Sequence, residues 1–322
     1  MKPHVTKQTR RLIADDGGIE QAATLLAQGE TVAIPTETVY GLAGDARNGD
    51  AVARIYAAKG RPSFNPLIVH LADRAMADEI GVFGPEAGLL ADAFWPGALT
   101  LVLPLRPIAR IASLVTAGLD TIALRLPAND TARALLRRFG GPLAAPSANA
   151  SGRISPTSAD HVLDPEGGLS GRIAAVLDAG PCPVGVESTI IGWVHGRATL
   201  LRPGGIPAEA IEAALGHELA GYTADQSAPN APGQLTSHYA PKAHLRLNAT
   251  ETREGETHLT FGRPGPFALS SVGDLTEAAA NLFDMLRRAD SLGRPIAVDP
   301  IPDHGLGVAI NDRLRRAAAP RS

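Results

Sequence analysis

The sequence has a single cysteine, Cys182, among its 322 residues. One cysteine permits neither an internal disulfide nor a cysteine-rich zinc site. The sequence also lacks any apolar run that approaches the roughly 20 residues needed to span a membrane. The polar N-terminal stretch "MKPHVTKQTRRLIADDGG" has no apolar centre of the kind found in signal peptides. We therefore expect a soluble, cytoplasmic protein with no membrane partner.

An excess of basic residues is absent as well. The chain carries 30 Lys and Arg against 33 Asp and Glu, which gives a formal net charge of −3. Proteins whose main task is to bind the nucleic-acid backbone normally show a strong positive excess. The balance argues against that class, although a local basic cleft remains compatible with it.

Several common catalytic motifs are missing. There is no G-x-x-x-x-G-K-[ST] loop, no H-E-x-x-H, no paired C-x-x-C and no G-x-S-x-G. A phosphate site in this protein must therefore be built without a P-loop. The nine histidines are scattered without the spacing of metal ligands, so no protein-held metal is predicted.

Helical patterns alternate with short β-type runs from residue 18 to about 215. The predicted strands are "TVAIP", "LIVHL", "LTLVLP", "TIALRLP", "PLAAPS", "AAVLDAG", "STIIGW" and "ATLLRPG". The predicted helices are "GIEQAATLLAQG", "DAVARIYAAKG" with Asp50 as N-cap, "NDTARALLRRF" and "PAEAIEAAL". Many short strands among fewer helices predict an α/β fold with a twisted sheet that is mixed rather than purely parallel.

The composition changes after this region. Residues 221–243 are rich in proline and poor in aliphatic side chains, which is typical of a linker or an extended arm. Four strand-like and two helix-like segments follow it. We therefore predict a larger domain at 1–220 with its core at about 15–207, a linker at 221–243, and a second, smaller α/β domain at 244–322.

Polar side chains follow several predicted strands. Thr36, Glu37 and Thr38 in "IPTETVYGLAGDA" stand before what looks like an apolar turn. Taken alone, their hydroxyls would cap a helix or satisfy turn amides. The segment "KGRPSFNP" offers Lys59 and Arg61, and taken alone it is equally compatible with a solvated loop.

Arg125 lies inside the apolar strand pattern "LDTIALRLPAN". An unpaired guanidinium is costly to bury, so this residue needs an anion. A carboxylate side chain or a ligand would serve, because arginine suits bidentate carboxylate binding.

Small and hydroxyl-bearing residues dominate three further segments. "AAPSANASGRISPTS" supplies Ser147 and Ser155, "GVESTIIGW" supplies Ser188, and "LLRPGGI" ends a strand at Arg202. Small residues allow backbone amides and hydroxyls to approach a ligand closely, as phosphate-binding loops require. Combined with the cations, they indicate a site for phosphates and a carboxylate.

Five of these segments also carry a family resemblance. "PTETVYGL", "KGRPSFNPL", "APSANASG", "VESTII" and "LRPG", in this order, resemble the YrdC-like domain of threonylcarbamoyl-AMP synthases. "SHYAP" and the second domain resemble the longer, two-domain form. The resemblance implies an enzyme, a nucleotidyltransferase, that joins L-threonine, bicarbonate or CO2, and ATP into threonylcarbamoyl-AMP with release of pyrophosphate.

The resemblance also implies the site residues. L-Threonine contacts fall at Thr38, His70, Arg125, Ala145 and Ser188. ATP contacts fall at Arg61, Asn65, Thr121, Ser147, Ser155, Arg202 and Tyr239. Lys59 and Arg61 form a K-x-R element that would face the polyanion and stabilise charge during the reaction. The linker would close over bound ATP as a lid.

The same resemblance implies a cofactor and partners. Mg2+ would arrive with ATP, because it keeps waters and binds phosphate oxygens. Downstream threonylcarbamoyl transferase proteins would use the product to modify an adenosine next to the tRNA anticodon. Whether this chain binds tRNA directly stays open.

Two other functions compete with this one. A carbamoyltransferase of the hydrogenase-maturation type contains a similar domain, but it also needs paired C-x-x-C motifs that a single cysteine cannot provide. A non-catalytic RNA-binding module is the other alternative. Thr38, Arg125 and Ser188 argue against it, because they suit an amino-acid pocket that RNA binding does not require.

Overall fold

A computed structural model describes residues 8–220 and 238–320. Ten strands of the first part form one sheet. They are β1 (Arg10–Ile13), β2 (Val32–Ile34), β3 (Gly41–Asp45), β4 (Ile68–His70), β5 (Leu99–Pro104), β6 (Thr121–Arg125), β7 (Leu143–Ala144), β8 (Ala175–Asp178), β9 (Thr189–Val194) and β10 (Arg197–Arg202). All eight strands predicted for this part of the chain are among them.

The sheet is mixed, as predicted. Its order is β1-β8-β2-β3-β7-β4-β6-β5-β9-β10. The pairs β1/β8, β8/β2, β4/β6 and β5/β9 are parallel. The other five neighbouring pairs are antiparallel. Because β4 and β6 run side by side in the same direction, the polar residues at their carboxyl ends emerge at one edge of the sheet.

Eight helices accompany this sheet within residues 8–220. They are α1 (Asp16–Ala27), α2 (Gly49–Lys59), α3 (Arg74–Ile80), α4 (Pro85–Phe94), α5 (Ser113–Thr116), α6 (Asp130–Phe139), α7 (Ala159–Leu163) and α8 (Ala208–Leu215). The four helices predicted from periodicity correspond to α1, α2, α6 and α8. Their buried faces, such as Ala22 and Leu26 of α1, pack against the sheet.

Helix α2 ends at the K-x-R element and sets the direction of both cations. The prediction of Asp50 as its N-cap is wrong, because the Asn48 side chain accepts hydrogen bonds from the backbone of Asp50 and Ala51. An amide oxygen two residues earlier meets these free amides equally well. At the other end, Gly60 takes a left-handed conformation with φ +60°, which ends the helix directly after Lys59.

The apolar turn expected after Thr38 is in fact strand β3. Its sequence GLAGD has two glycines, which weaken any strand pattern, so periodicity did not indicate it. Glycine allows a close approach at residue 41, where a Cβ would lie 3.2 Å from the Cβ of Ala145. Gly41 also bridges Ser147, which draws the serine-rich segment against β3.

The second part is a smaller α/β domain with four strands, as predicted, and its four strands are all parallel. The strands are β11 (Leu245–Arg246), β12 (Thr257–Phe261), β13 (Ala268–Ser270) and β14 (Ile296–Val298), in the order β11-β14-β12-β13. They are accompanied by α9 (Leu275–Asp290) and α10 (Leu306–Ala318). No helix in the described parts of the chain is long and apolar enough to cross a membrane.

The two parts share one hydrophobic cluster. Val39 and Val186 of the first part lie in the same buried cluster as Phe283 of α9 and Tyr239 of the connecting segment. Val39 directly follows Thr38, and Val186 lies two positions before Ser188. The second domain therefore packs against the back of those motifs. Residues 221–237, the greater part of the predicted linker, fall outside the described residues, and the domain boundaries stay a prediction.

Candidate active site

One pocket collects most of the predicted residues. Its lining includes Thr38, Arg61, His70, Arg125, Ala145, Ser147, Ser188, Arg202 and Tyr239. Nine of the thirteen predicted residues thus meet in one place, although 201 positions separate the first from the last in the sequence. The lining also includes Thr36, Glu187 and His238, which the sequence analysis did not assign to the site.

Strand register explains how two of these residues meet. His70 is the last residue of β4 and stands opposite Arg125, the last residue of β6. Ser188 immediately precedes β9, and its hydroxyl lies 2.7 Å from that of Thr100 in β5. Side chains at strand ends are held by the ladder, so the pocket wall is rigid on this side.

Arg125 has the protein anion that its burial requires. Its Nη2 donates to Oε1 of Glu37 at 2.6 Å, and its Nη1 donates to the hydroxyl of Thr38 at 2.9 Å. Burial, the largest single cause, pushes the pKa of Glu37 up, but the charge of Arg125, its hydrogen bond and backbone hydrogen bonds together lower the pKa overall. The guanidinium is therefore fixed in orientation and still lines the pocket.

Thr36 organises the turn that carries Glu37 and Thr38. Its hydroxyl donates to the carbonyl of Val39 at 2.6 Å and accepts from the backbone amides of Thr38 and Val39. The structural role considered for this motif is therefore correct for Thr36. Thr38, which is fully buried, presents its side chain to the pocket and to Arg125.

Arg202 and Arg61 provide positive charge on another side of the pocket. Arg202 donates from Nε and Nη2 to the carbonyl of Ser188, at 3.2 and 2.8 Å. Arg61 donates to the carbonyls of Asn65 and Pro66. Burial lowers the pKa of each arginine to about 10, so both remain cationic at neutral pH. Such buried cations favour an anionic ligand.

Lys59 is placed differently from the expectation for the K-x-R element. Its Nζ donates to the carbonyls of Ser147 and Asn149, at 2.5 and 2.6 Å, and it does not line the pocket. Burial is the main cause that lowers its pKa well below the usual value. The lysine therefore ties the end of α2 to the serine-rich loop, and its predicted catalytic role stays a prediction.

Three more predicted residues do not line the pocket. Asn65 and Ser155 are buried next to it, and the Ser155 hydroxyl donates to Oε1 of Glu187 at 2.6 Å. Thr121 begins β6 at the end opposite Arg125 and lines a separate groove. The roles carried over to these residues stay predictions.

Two neutral histidines line the pocket. Burial, as the largest cause, lowers the pKa of both His70 and His238 to about 3. The Nδ1 atoms of both rings are buried without a hydrogen-bond partner among the described residues. A neutral imidazole beside a cationic wall offers a donor or an acceptor to a ligand without adding charge.

Glu187 brings negative charge to the pocket wall. Burial alone would raise its pKa, but Arg313, Arg202 and the hydrogen bond from Ser155 hold it at about 2. Arg313 comes from α10 of the second domain, and its Nε lies 3.0 Å from Oε2 of Glu187. This pairing could not be predicted from the sequence, because 126 positions separate the two residues.

Tyr239 enters the pocket wall from the segment before β11. Its ring stacks on Phe283 of α9, with 5.4 Å between ring centroids, and lies under the guanidinium of Arg313. The neighbouring ring of His238 packs edge-on against it at 4.1 Å. The "HYAP" segment is thereby anchored on the second domain while it faces the first.

A protein-held metal finds little support in the donor set. The two carboxylates at the pocket, Glu37 and Glu187, are each bound by an arginine. Across residues 8–220 and 238–320, no group of three or more His, Cys, Asp or Glu side chains is arranged to hold a metal ion. This donor set fits a metal that is carried by a ligand.

The fold and the pocket define a two-domain α/β protein whose larger, YrdC-like domain encloses a cationic ligand site. Residues 24–204 match a family described as "Telomere recombination", and residues 206–319 match the "Threonylcarbamoyl-AMP synthase, C-terminal domain". The chain belongs to the two-domain Sua5 branch of the threonylcarbamoyl-AMP synthase family.

Individual relatives agree along the whole chain. The threonylcarbamoyl-AMP synthase of Bacillus subtilis is 44% identical and covers 97% of this chain and 96% of its own length. That of Pyrococcus abyssi is 40% identical over 94% of each chain. The crystal structure of P. abyssi Sua5 complexed with L-threonine superposes with a TM-score of 0.87, at 37% identity, over 96% of this chain and 97% of the other.

Proposed function

We infer that this protein is a threonylcarbamoyl-AMP synthase, an enzyme that forms threonylcarbamoyl-AMP and pyrophosphate from L-threonine, bicarbonate or CO2, and ATP. The observation that carries the proposal is the meeting of five sequence motifs in one pocket with buried cations and hydroxyls. A relative of matching length and fold was crystallised with L-threonine, which supports an amino-acid subsite here.

The amino acid would bind at the wall that contains Arg125. Thr38, His70, Ser188 and Ala145 line the same pocket as this guanidinium, and the first three offer hydroxyl and imidazole groups to a small polar ligand. Arg125 would pair with the threonine carboxylate through the pocket-facing part of its fork. The neutral His70 would add no charge that repels the threonine ammonium group as it binds. The ammonium group must lose a proton before the amine can act as a nucleophile.

ATP would bind against Arg61 and Arg202, with Ser147 and Tyr239 completing the wall. These cations would take the triphosphate and the charge that develops on the α-phosphate as pyrophosphate leaves. Asn65 and Ser155 would support this side from behind the lining. A direct contact from Thr121 requires the nucleotide to reach another part of the sheet.

The chemistry requires no covalent enzyme intermediate. The unprotonated threonine amine would attack CO2 and lose a proton to solvent, or attack bicarbonate with loss of water, and form a carbamate. A carbamate oxygen would then attack the α-phosphorus, and the bond to the β-phosphate oxygen would break to release pyrophosphate. The protein would contribute positioning and fixed positive charge. Mg2+ would enter with ATP on phosphate oxygens and neutralise part of their charge.

The product would serve partner proteins. A threonylcarbamoyl-adenylate is an activated acyl donor, so transferase proteins that modify tRNA next to the anticodon would consume it. We place this activity in the cytoplasm, where ATP and tRNA meet. The RNA-binding alternative has less support, because Thr38, Arg125 and Ser188 line one pocket and suit an amino acid that RNA binding does not require.

Labelled L-threonine tests the proposal. The full-length protein is incubated with Mg-ATP, bicarbonate and the label, and the products are separated and weighed by mass spectrometry. A labelled adenylate whose mass includes threonine, carbonate carbon and AMP supports the proposal. Its absence from a folded, ATP-binding preparation would contradict it.

A further inference from the structure

Arg313 is a buried arginine that the second domain inserts behind the pocket. Its side chain has no exposed surface. Nε pairs with Oε2 of Glu187 at 3.0 Å, and Nη1 donates to the carbonyl of Pro203 at 2.6 Å and to Asp312 at 3.0 Å. One guanidinium thus holds two site segments, "VEST" and "LRPG", from outside the domain that contains them.

The two segments also depend closely on each other. A Cβ on Gly204 would lie 2.4 Å from the carbonyl oxygen of Glu187, and the amide of Gly205 donates to that same oxygen. Arg202, which precedes them, donates to the carbonyl of Ser188. A shift at Glu187 would therefore move both a cation and a hydroxyl of the pocket.

Glu187 poses an electrostatic problem for the proposed function. Its carboxylate is nearly inaccessible to water and lines the same pocket as Arg61 and Arg202. A carboxylate in this position repels a triphosphate, and like charges brought together in a desolvated site cost several kcal/mol. Ser155 binds one carboxylate oxygen, but a hydroxyl leaves the negative charge in place.

We propose that Arg313 is a positioning residue for the nucleotide: it neutralises Glu187 and holds that carboxylate back, so that the pocket stays cationic toward the triphosphate. This inference rests on the proposed function and gives the second domain a part in it. The domain supplies a counter-charge for Glu187 that adds to that of Arg202 in the first domain. It touches the site through Glu187 rather than through the substrate.

A purely structural role for Arg313 is the alternative. The same side chain lies over the ring of Tyr239, 5.5 Å from its centroid, and so contributes to the contact between the domains. Loss of either role would weaken the protein, so loss of activity alone does not separate them. The two roles differ in what happens when the charge of Glu187 is removed as well.

The test is a double-variant cycle in the full-length chain, with Mg-ATP binding measured by calorimetry and KM measured for both substrates. Arg313→Met should weaken ATP binding roughly tenfold or more, the scale of coupling between contacting charged groups. The KM for threonine should change much less. Arg313→Met combined with Glu187→Gln should recover most of the lost ATP affinity, since no uncompensated carboxylate remains.

Two control variants accompany this double-variant cycle. Arg315→Ala removes an exposed arginine two residues further along α10 and should leave ATP binding unchanged. Arg313→Lys keeps the charge with a smaller loss of packing, and should bind ATP more tightly than Arg313→Met even where the methionine variant is destabilised. Thermal unfolding of every variant separates loss of fold from loss of affinity.

Three results would overturn the inference. The first is that folded Arg313→Met binds ATP as tightly as the unsubstituted protein. The second is that the double variant binds ATP as weakly as Arg313→Met, and the third is that Arg313→Met changes the KM of threonine and the KM of ATP equally. A protein that binds ATP without forming the adenylate would instead contradict the proposed function. The ATP affinities of the variants could still be compared in that case.

Discussion

The guanidinium of Arg125 donates to a carboxylate oxygen of Glu37 across 2.6 Å, and both side chains are buried. The pair joins a turn after β2 to the end of β6, 88 positions apart in the sequence. Because Nη2 already donates to Glu37 and Nη1 to Thr38, a ligand carboxylate meets a cation of fixed orientation. Preorganisation of this kind reduces the entropic cost of binding.

Arg125→Ala should weaken L-threonine binding by about 1.5–3 kcal/mol, the scale of a hydrogen bond to a charged group. ATP affinity should change much less, because the proposed amino-acid subsite, and not the proposed ATP subsite, contains Arg125. Calorimetric titration with each ligand measures both effects. Unchanged threonine affinity would remove Arg125 from the site.

A matched variant separates binding from folding in this experiment. Arg125→Ala leaves Glu37 buried and unpaired, which costs about 3–5 kcal/mol of stability in comparable buried pairs. Arg125→Met with Glu37→Gln removes both charges and should recover much of that stability. Threonine binding should stay weak in this double variant, since the ligand still lacks its cation.

Lys59 and Arg61 should respond differently to substitution by alanine. The sequence placed both in an exposed turn, where activity would suffer more than stability. Lys59 is instead buried and bound to two carbonyls, so Lys59→Ala should lower the free energy of unfolding by about 1–3 kcal/mol. Arg61→Ala should mainly reduce turnover, because Arg61 lines the pocket.

Thermal unfolding and turnover, measured side by side, check this difference. Lys59→Met serves as the control, since it keeps the length of the side chain and removes only the donor. Equal losses of stability in the alanine variants of both residues would contradict the distinction drawn between them.

The buried histidines predict a pH dependence of stability. Below the ordinary histidine pKa of 6.5 the unfolded chain binds protons, while His70 and His238 stay neutral in the folded chain down to about 3. The free energy of unfolding should therefore fall as the pH falls through this window, by up to about 1.4 kcal/mol per pH unit for each histidine.

Urea unfolding between about pH 6.5 and pH 5 measures this slope, because most carboxyl groups titrate below this pH range. His70→Gln should reduce the slope, because glutamine takes up no proton in the unfolded chain. His195→Gln, which changes an exposed histidine, serves as the matched control. An unchanged slope in His70→Gln would show that His70 is not held neutral by burial.

Tyr239 should contribute mainly through its ring. Tyr239→Ala removes the stack on Phe283 and should reduce synthesis and loosen the contact between the domains, whereas Tyr239→Phe keeps the stack. Turnover and limited proteolysis of the two variants measure the contrast. Equal loss in Tyr239→Phe would assign the role to the hydroxyl instead.

Removal of everything after residue 220 is expected to leave a folded first domain that binds threonine but makes little product. The expectation that the linker closes over ATP concerns residues 221–237, outside the described part of the chain. Protection of the linker from proteolysis by ATP remains its test. Full synthase activity in the truncated protein would reduce the second domain to an accessory.

Local patterns were enough to predict much of this molecule. Short apolar runs such as "LTLVLP" gave the strands, and the clusters of hydroxyls and cations after them gave most of the pocket. Strand β3 could not be predicted from the sequence pattern, because Gly41 and Gly44 allow close packing but have a low β propensity. Local patterns could not distinguish Asn48 from Asp50 as the N-cap of α2, because a helix boundary inferred from sequence is uncertain by a residue or two.

The pairings across long sequence separations could not be predicted. Nothing near Arg125 in the sequence points to Glu37, and nothing near Glu187 points to Arg313. Such contacts depend on strand order and domain packing, which a periodicity in one segment does not contain. The same limit applies to Lys59, whose burial follows from a loop 88 residues away.

Pyrophosphate release by the full-length protein tests the central claim most directly. The protein is supplied with Mg-ATP and with L-threonine and bicarbonate together, each alone, or neither. We predict rapid pyrophosphate formation only when both are present, because the carbamate that attacks the α-phosphorus needs both. Pyrophosphate formed at the same rate without threonine and bicarbonate would contradict the assignment of this pocket to threonylcarbamoyl-AMP synthesis.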